Sequence, residues 1–179
     1  GGKYESPLSS KECSGNGIYL LTDGQPQIVT EDGRYYENLV GSSNRAKALM
    51  NLSLQGVEDP LSVTTCNGLT GGDASGAWGC MASYAALLRN RASNSKGLPI
   101  KTATVGFGKS FNGLTGKKTI TVNGESKEIV DCDSGLTTGN NKVGQDTRNL
   151  CKLGERKSDN QVKTFGDGGF YYTEESDDI

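Results

Sequence analysis

An α/β domain containing part of a doubly wound parallel sheet is what this sequence predicts, on three observations. Two short apolar runs, at 18–21 and 100–107, end abruptly in polar or glycine-rich turns, as strands buried in a parallel sheet do. Between them Trp78, Met81, Ala82, Ala85, Leu88 and Ala92 recur at helical spacing. The order of strands and helices along the chain is the alternation from which one half of such a sheet is built.

The first strand is the IYLL of the IYLLTDG stretch at 18–24, closed by a Thr-Asp-Gly turn. Polar residues follow to Gly41, punctuated by Gly24, Pro26 and Gly33. Ser42 and Ser43 offer caps for a helix over 44–55, with Ala46, Leu49 and Met50 on one face and Gly56 as its stop. Residues 57–79 read as loop, because Pro60, Gly68, Gly71, Gly72 and Gly76 interrupt any regular element. A second helix starts near Trp78 and ends before Gly97 and Pro99. The strand at 100–107 leads to a β-hairpin, 119–122 and 127–130, turned by Asn123-Gly124, which supplies the positive φ angles of a tight turn. A short helix at 146–153 and an aromatic strand at 169–173 complete the pattern, and 176–179 resembles the capped first turn of a further helix. One domain over 1–179 is expected, with 109–160 as an insertion carrying the hairpin and the short helix.

Composition narrows the function. The chain has 179 residues, 26 of them glycine, and no histidine. Ser-His-Asp and Cys-His nucleophile pairs, His-ligated zinc and His general bases are therefore excluded within it, and a non-enzymatic role is expected. A net charge of −2 without a basic stripe argues against nucleic acid. No apolar run is long enough to span a bilayer, and the polar start at 1–6 lacks the form of a signal peptide.

Five cysteines stand apart from one another with no Cys-x-x-Cys pair, which favours disulfides in an oxidising compartment. Five allow fifteen ways of forming two bonds. The expected pairing closes two short polar loops, Cys66 with Cys80 and Cys132 with Cys151, and leaves Cys13 for a partner outside the chain. Each closure is worth about 3 kcal/mol of unfolded-state entropy.

Three short motifs bear on chemistry. Gly106-Phe107-Gly108-Lys109-Ser110 follows a strand as a phosphate loop does, but Ala103 stands where the first glycine of that motif belongs. Asp131-Cys132-Asp133-Ser134-Gly135 lacks the third acidic position and closing glutamate of an EF-hand loop. Asp23 is the first charged residue beyond a strand, where a carboxylate can hold a hard cation or cap the turn with Gly24. Tyr35 and Tyr36, beside Arg34 in a polar loop, are candidates for an exposed ligand-binding face.

IYLLTDG resembles the fourth strand of a von Willebrand factor A domain, whose Thr-Asp-Gly gives one carboxylate to a metal-ion-dependent adhesion site. The ordered series IYLLTDGQPQ, Trp78-Gly79-Cys80, KTATVGFGKSF, DTRNLCKLGE and GDGGFYYTEESDDI is similar, over essentially the whole chain, to the A-like domain of the PilC/PilY type IV pilus tip adhesins. The resemblance implies an exported, disulfide-bonded adhesion and pilus-biogenesis module on the surface of a Gram-negative bacterium, at the pilus tip or outer membrane. Its partners would be minor pilins and a host-cell surface or extracellular-matrix receptor, and Asp23 would contribute to a divalent cation site for Mg, Mn or Ca. The Asp-x-Ser-x-Ser that opens an A domain is absent; Asp73-Ala74-Ser75-Gly76-Ala77 lacks the last serine and lies downstream of the Thr-Asp-Gly strand. The match is thus to the second half of the domain, from its fourth strand on. The first half is expected from another polypeptide, and the strand at 18–21 is expected to expose an unpaired edge. The alternative is a purely structural tip module that nucleates pilus assembly without metal or receptor.

Overall fold

The computed structural model describes residues 16–22, 50–51, 54, 66, 68–72, 75–94, 97–139 and 143–173. These form a mixed α/β structure with a three-stranded parallel sheet and two helices. In chain order the elements are β1 (Asn16–Thr22), α1 (Ser75–Arg89), β2 (Ile100–Phe107), a 3-10 turn (Lys109–Phe111), β3 (Lys117–Val122), β4 (Glu125–Val130), α2 (Gln145–Gly154) and β5 (Asp167–Thr173). β1 and β5 flank β2, both parallel to it, and β3 and β4 form a separate antiparallel hairpin.

β2, the hairpin, α2 and β5 form where the patterning places them. The hairpin turn has Asn123 at φ 54° and Gly124 at φ 78°, the left-handed pair that matches the twist of the flanking strands. α1 starts at Ser75, three residues before the expected Trp78, and takes Gly76 and Gly79 into the helix. Each helical glycine costs about 1 kcal/mol relative to alanine, and the burial of Trp78, Ala82, Ala85 and Leu88 along one face outweighs it. The helix ends at Arg89 rather than running on toward Gly97. Asn94 closes it there, its side-chain amide donating to the carbonyls of Leu88 and Leu98 at 3.0 and 2.7 Å. Of the helix expected over 44–55, Met50 and Asn51 are described and are helical, whereas Leu54 forms an isolated bridge to Asn94.

Parallel strands need a crossover to connect them, and α2, within the 109–160 stretch, packs on both β2 and β5 as that crossover. Contact is close. A Cβ on Gly154 would lie 2.3 Å from the Gly169 carbonyl oxygen and from Thr104 Oγ1, so only glycine lets the end of α2 approach the sheet. Thr104 Oγ1 donates to the Leu150 carbonyl at 2.9 Å, joining helix to strand without leaving a buried hydroxyl unpaired.

The main core lies between this face of the sheet and the two helices, around Trp78, Phe111, Leu114, Leu150 and Leu153. Phe170 and Tyr172, two apart on β5 and so on one face, stack with each other at 5.9 Å and meet Phe111 at 6.0 and 6.2 Å. The Trp78 indole N–H donates to Asp146 Oδ1 at 2.6 Å in the interior, tying α1 to the first turn of α2. Disulfides join Cys66 to Cys80 and Cys132 to Cys151, the first at the entry of α1 and the second from the loop after β4 onto α2. Cys13, Asp23, Tyr35, Tyr36 and Asp73 lie outside the described residues.

Candidate functional site

All three sheet strands run the same way, so their carboxyl ends gather at one edge of the molecule. Thr22 aligns with Gly106, which aligns with Tyr172, and Phe107 aligns with Thr173. The Gly108 N–H donates to the Thr173 carbonyl at 3.0 Å, binding two of these ends together. Asp23 follows Thr22 directly in the chain. Ligands of open α/β sheets bind beyond the carboxyl ends of the strands, which makes this end the candidate site.

The phosphate-loop likeness beside it is a packing feature. A Cβ on Gly106 would sit 2.4 Å from the Phe111 ring, so this glycine serves the core. Lys109–Phe111 is a single 3-10 turn rather than the first turn of a long helix, so it lacks the helix N-terminus on which a phosphate loop depends.

Among the described residues both helices and the main core lie on one face of the sheet. Across the register Leu21 meets Val105 and Val105 meets Tyr171, so these three side chains form a row on the other face. Leu21 is 53% and Tyr171 59% exposed, and Tyr19, on the same face, is 71% exposed. Ile18 on the opposite face is 40% exposed, while Leu20 on that face packs against the main core, so β1 is apolar toward both sides. Among the described residues β2 is the one strand that pairs with β1.

Charge gathers elsewhere, around the loop after β4. Lys118 lies between Glu155 and Asp131, Lys157 reaches Glu155 at 2.5 Å, and Lys152 reaches Asp133 at 2.5 Å. Burial pulls the Lys118 ammonium down, but hydrogen bonds and charge from Glu155 and Asp131 outweigh it and raise it above the ordinary lysine value. The hydrogen bond from Lys152, opposed by partial burial, holds the Asp133 carboxyl below its ordinary value. Both aspartates of the calcium-like Asp131-Cys132-Asp133 stretch are thus occupied by lysines. No group of three or more His, Cys, Asp or Glu suited to a metal ion occurs among the described residues.

A pH dependence follows. A depressed carboxyl contributes stability that is present above the unfolded-state value of about 3.9 and is lost as pH falls through the lower folded value. Stability should therefore fall below about pH 4, and Lys152→Gln should flatten that fall by less than about 1 kcal/mol, because the pair is largely exposed. Urea midpoints of the two proteins at pH 7 and pH 3 check this; an equal loss in both would exclude the Lys152–Asp133 pair as a contributor.

The row of Tyr19, Leu21 and Tyr171 is not legible in the sequence as a site, since alternating apolar residues in a strand read as core. The available signal is that IYLL is apolar on both faces, which suits an interior strand and not an edge. Comparison with protein-family models, with curated proteins and with solved structures finds no match. No helix among the described residues is long and apolar enough to cross a membrane.

Proposed function

We propose that this chain is a non-enzymatic adhesion and pilus-biogenesis module of the PilC/PilY tip type, with a von Willebrand factor A-like fold completed by a polypeptide seated against β1. The observation that carries the reading is β1, a parallel strand apolar on both faces that pairs with one strand among the described residues and leaves Ile18, Tyr19 and Leu21 exposed. Strands of this kind belong inside sheets covered on both faces, and a free edge is a template for another chain. The consecutive order β1-β2-β5 matches the second half of the doubly wound order 3-2-1-4-5-6. On that alignment the outer edge of β1 is the switch point where such sheets bind ligands, and Asp23 follows it. A receptor or a minor pilin would be engaged there, with Tyr35 and Tyr36 as candidate contacts.

The described residues offer no cation site of their own. Dependence on a divalent cation rests on Asp23 together with donors from the completing polypeptide. Two disulfides agree with an oxidising, extracellular setting, and the pilus tip or outer membrane is the location the proposal assigns.

The test is binding of the full chain to immobilised minor pilins and to host-cell matrix, with and without EDTA, for the parent, Asp23→Ala and Leu21→Lys. EDTA and Asp23→Ala should each weaken binding by about tenfold or more, and Leu21→Lys should prevent co-purification of the completing polypeptide. Pilin binding that survives EDTA and Asp23→Ala would favour the purely structural tip module. Absence of binding to both surfaces would overturn the adhesion reading.

A further inference from the structure

We propose a second binding site, at the opposite edge of the sheet, where the cleft between β5 and the β3–β4 hairpin takes an extended acidic peptide. β5 is the last strand of the order β1-β2-β5, and although β4 approaches it no ladder joins the two. The cleft between them has a volume of about 530 Å³, within the range of roughly 300–1,000 Å³ typical of ligand sites.

Its walls carry Lys117, Lys127 and Arg156, with Phe170 and the exposed Tyr171. Arg156 is half-buried and Lys117 exposed, and neither side chain has a hydrogen bond or ion pair among the described residues. Lys127 has one exposed contact, to Glu125 at 3.5 Å. Two carboxylates face these cations. Glu128 is exposed, and Glu155 is already neutralised by Lys118 and Lys157. The cleft therefore holds unspent positive charge and, in Arg156, a planar fork of N–H donors that fits a carboxylate bidentately.

The strand edge selects a peptide over a small anion. Among the described residues no strand pairs with the outer edge of β5, and Gly169 to Tyr172 line the cleft, so an extended peptide can add to this edge while alternate side chains enter the pocket. Carboxylates at alternate positions would meet Arg156 and Lys117, and the intervening apolar side chains would lie on Tyr171.

The experiment is fluorescence anisotropy of the full chain with a labelled Thr-Glu-Val-Glu-Val-Glu-Thr peptide. Its lysine counterpart, a backbone N-methylated version and heparin serve as comparisons. The acidic peptide should bind, more weakly as salt rises, and the lysine peptide should not. Arg156→Gln combined with Lys117→Gln should weaken binding by about tenfold or more. Lys127→Gln, on an exposed strand position, gives a second variant should the first disturb folding by circular dichroism. Lys109→Gln, outside the cleft, and Asp23→Ala should leave the affinity unchanged, which separates this site from the one at β1. Undiminished binding by the cleft variants, or equal binding of acidic and basic peptides, would overturn the site. Equal affinity for the N-methylated peptide would overturn strand addition, and heparin binding without peptide binding would assign the cleft to a polysaccharide instead.

Discussion

Replacing Trp78 with alanine is expected to destabilise the domain by about 3–5 kcal/mol, a large part of the roughly 5–15 kcal/mol that holds a typical domain together. Two losses combine. The indole is 1% exposed and sits in the main core with Phe111, Leu114 and Leu150, so its removal opens a cavity that the rigid helix pair cannot collapse to fill. Its N–H also holds Asp146 at 2.6 Å, so truncation takes a hydrogen bond from a buried carboxylate. Trp78→Phe separates the two terms. It keeps most of the apolar volume and removes only the donor, for an expected cost of about 1–3 kcal/mol. Trp78 is the only tryptophan, so urea unfolding has to be followed by far-UV circular dichroism. Equal costs for the two variants would mean that the hydrogen bond, not the packing, is what the indole contributes.

Removal of Cys132–Cys151, as the Cys132→Ala and Cys151→Ala double variant, is expected to cost about 2–5 kcal/mol. Both cysteines are fully buried, whereas Cys66 and Cys80 are only partly so. Arg148, from α2, donates to the carbonyl of Ser134 at 2.9 Å and to that of Asp133 at 3.2 Å, and Lys152 holds Asp133, so the loop stays pinned on the helix around the disulfide. A reductant must then open this packing before it reaches the sulfurs. Under native conditions with limiting dithiothreitol and a trapping alkylator, peptide mass spectrometry should find Cys66 and Cys80 modified well before Cys132 and Cys151. The reverse order would show that the loop is not held down as the structure has it.

Much of this fold was legible because it rests on local signals. Asn123-Gly124 requires left-handed backbone that few other pairs adopt, so the hairpin and its turn could be read directly. The spacing of Trp78, Ala82, Ala85 and Leu88 identified the buried face of α1. The boundaries of α1 were not legible. Its start depends on core burial overriding Gly76 and Gly79, and its end on an amide from Asn94 that closes the helix across a turn. The part played by α2 was hidden too, since a ten-residue helix inside a long connection looks the same whether it is an appendage or the crossover that makes β2 and β5 parallel.

By itself, the sequence determined the α/β class, the absence of histidine chemistry, the hairpin, and the amphipathic face of α1, because propensity, turn stereochemistry and periodicity act over a few neighbouring residues. Only the tertiary structure decided that Leu21, Val105 and Tyr171 line up in a row with Leu21 and Tyr171 exposed, that β1 has β2 as its one partner strand among the described residues, and that Lys117, Lys127 and Arg156 line one cleft. Those facts depend on strand order and on which layer covers which face. Apolar residues in a strand carry the same pattern whether their face is covered or open, so only the assembled chain distinguishes a core from a binding surface.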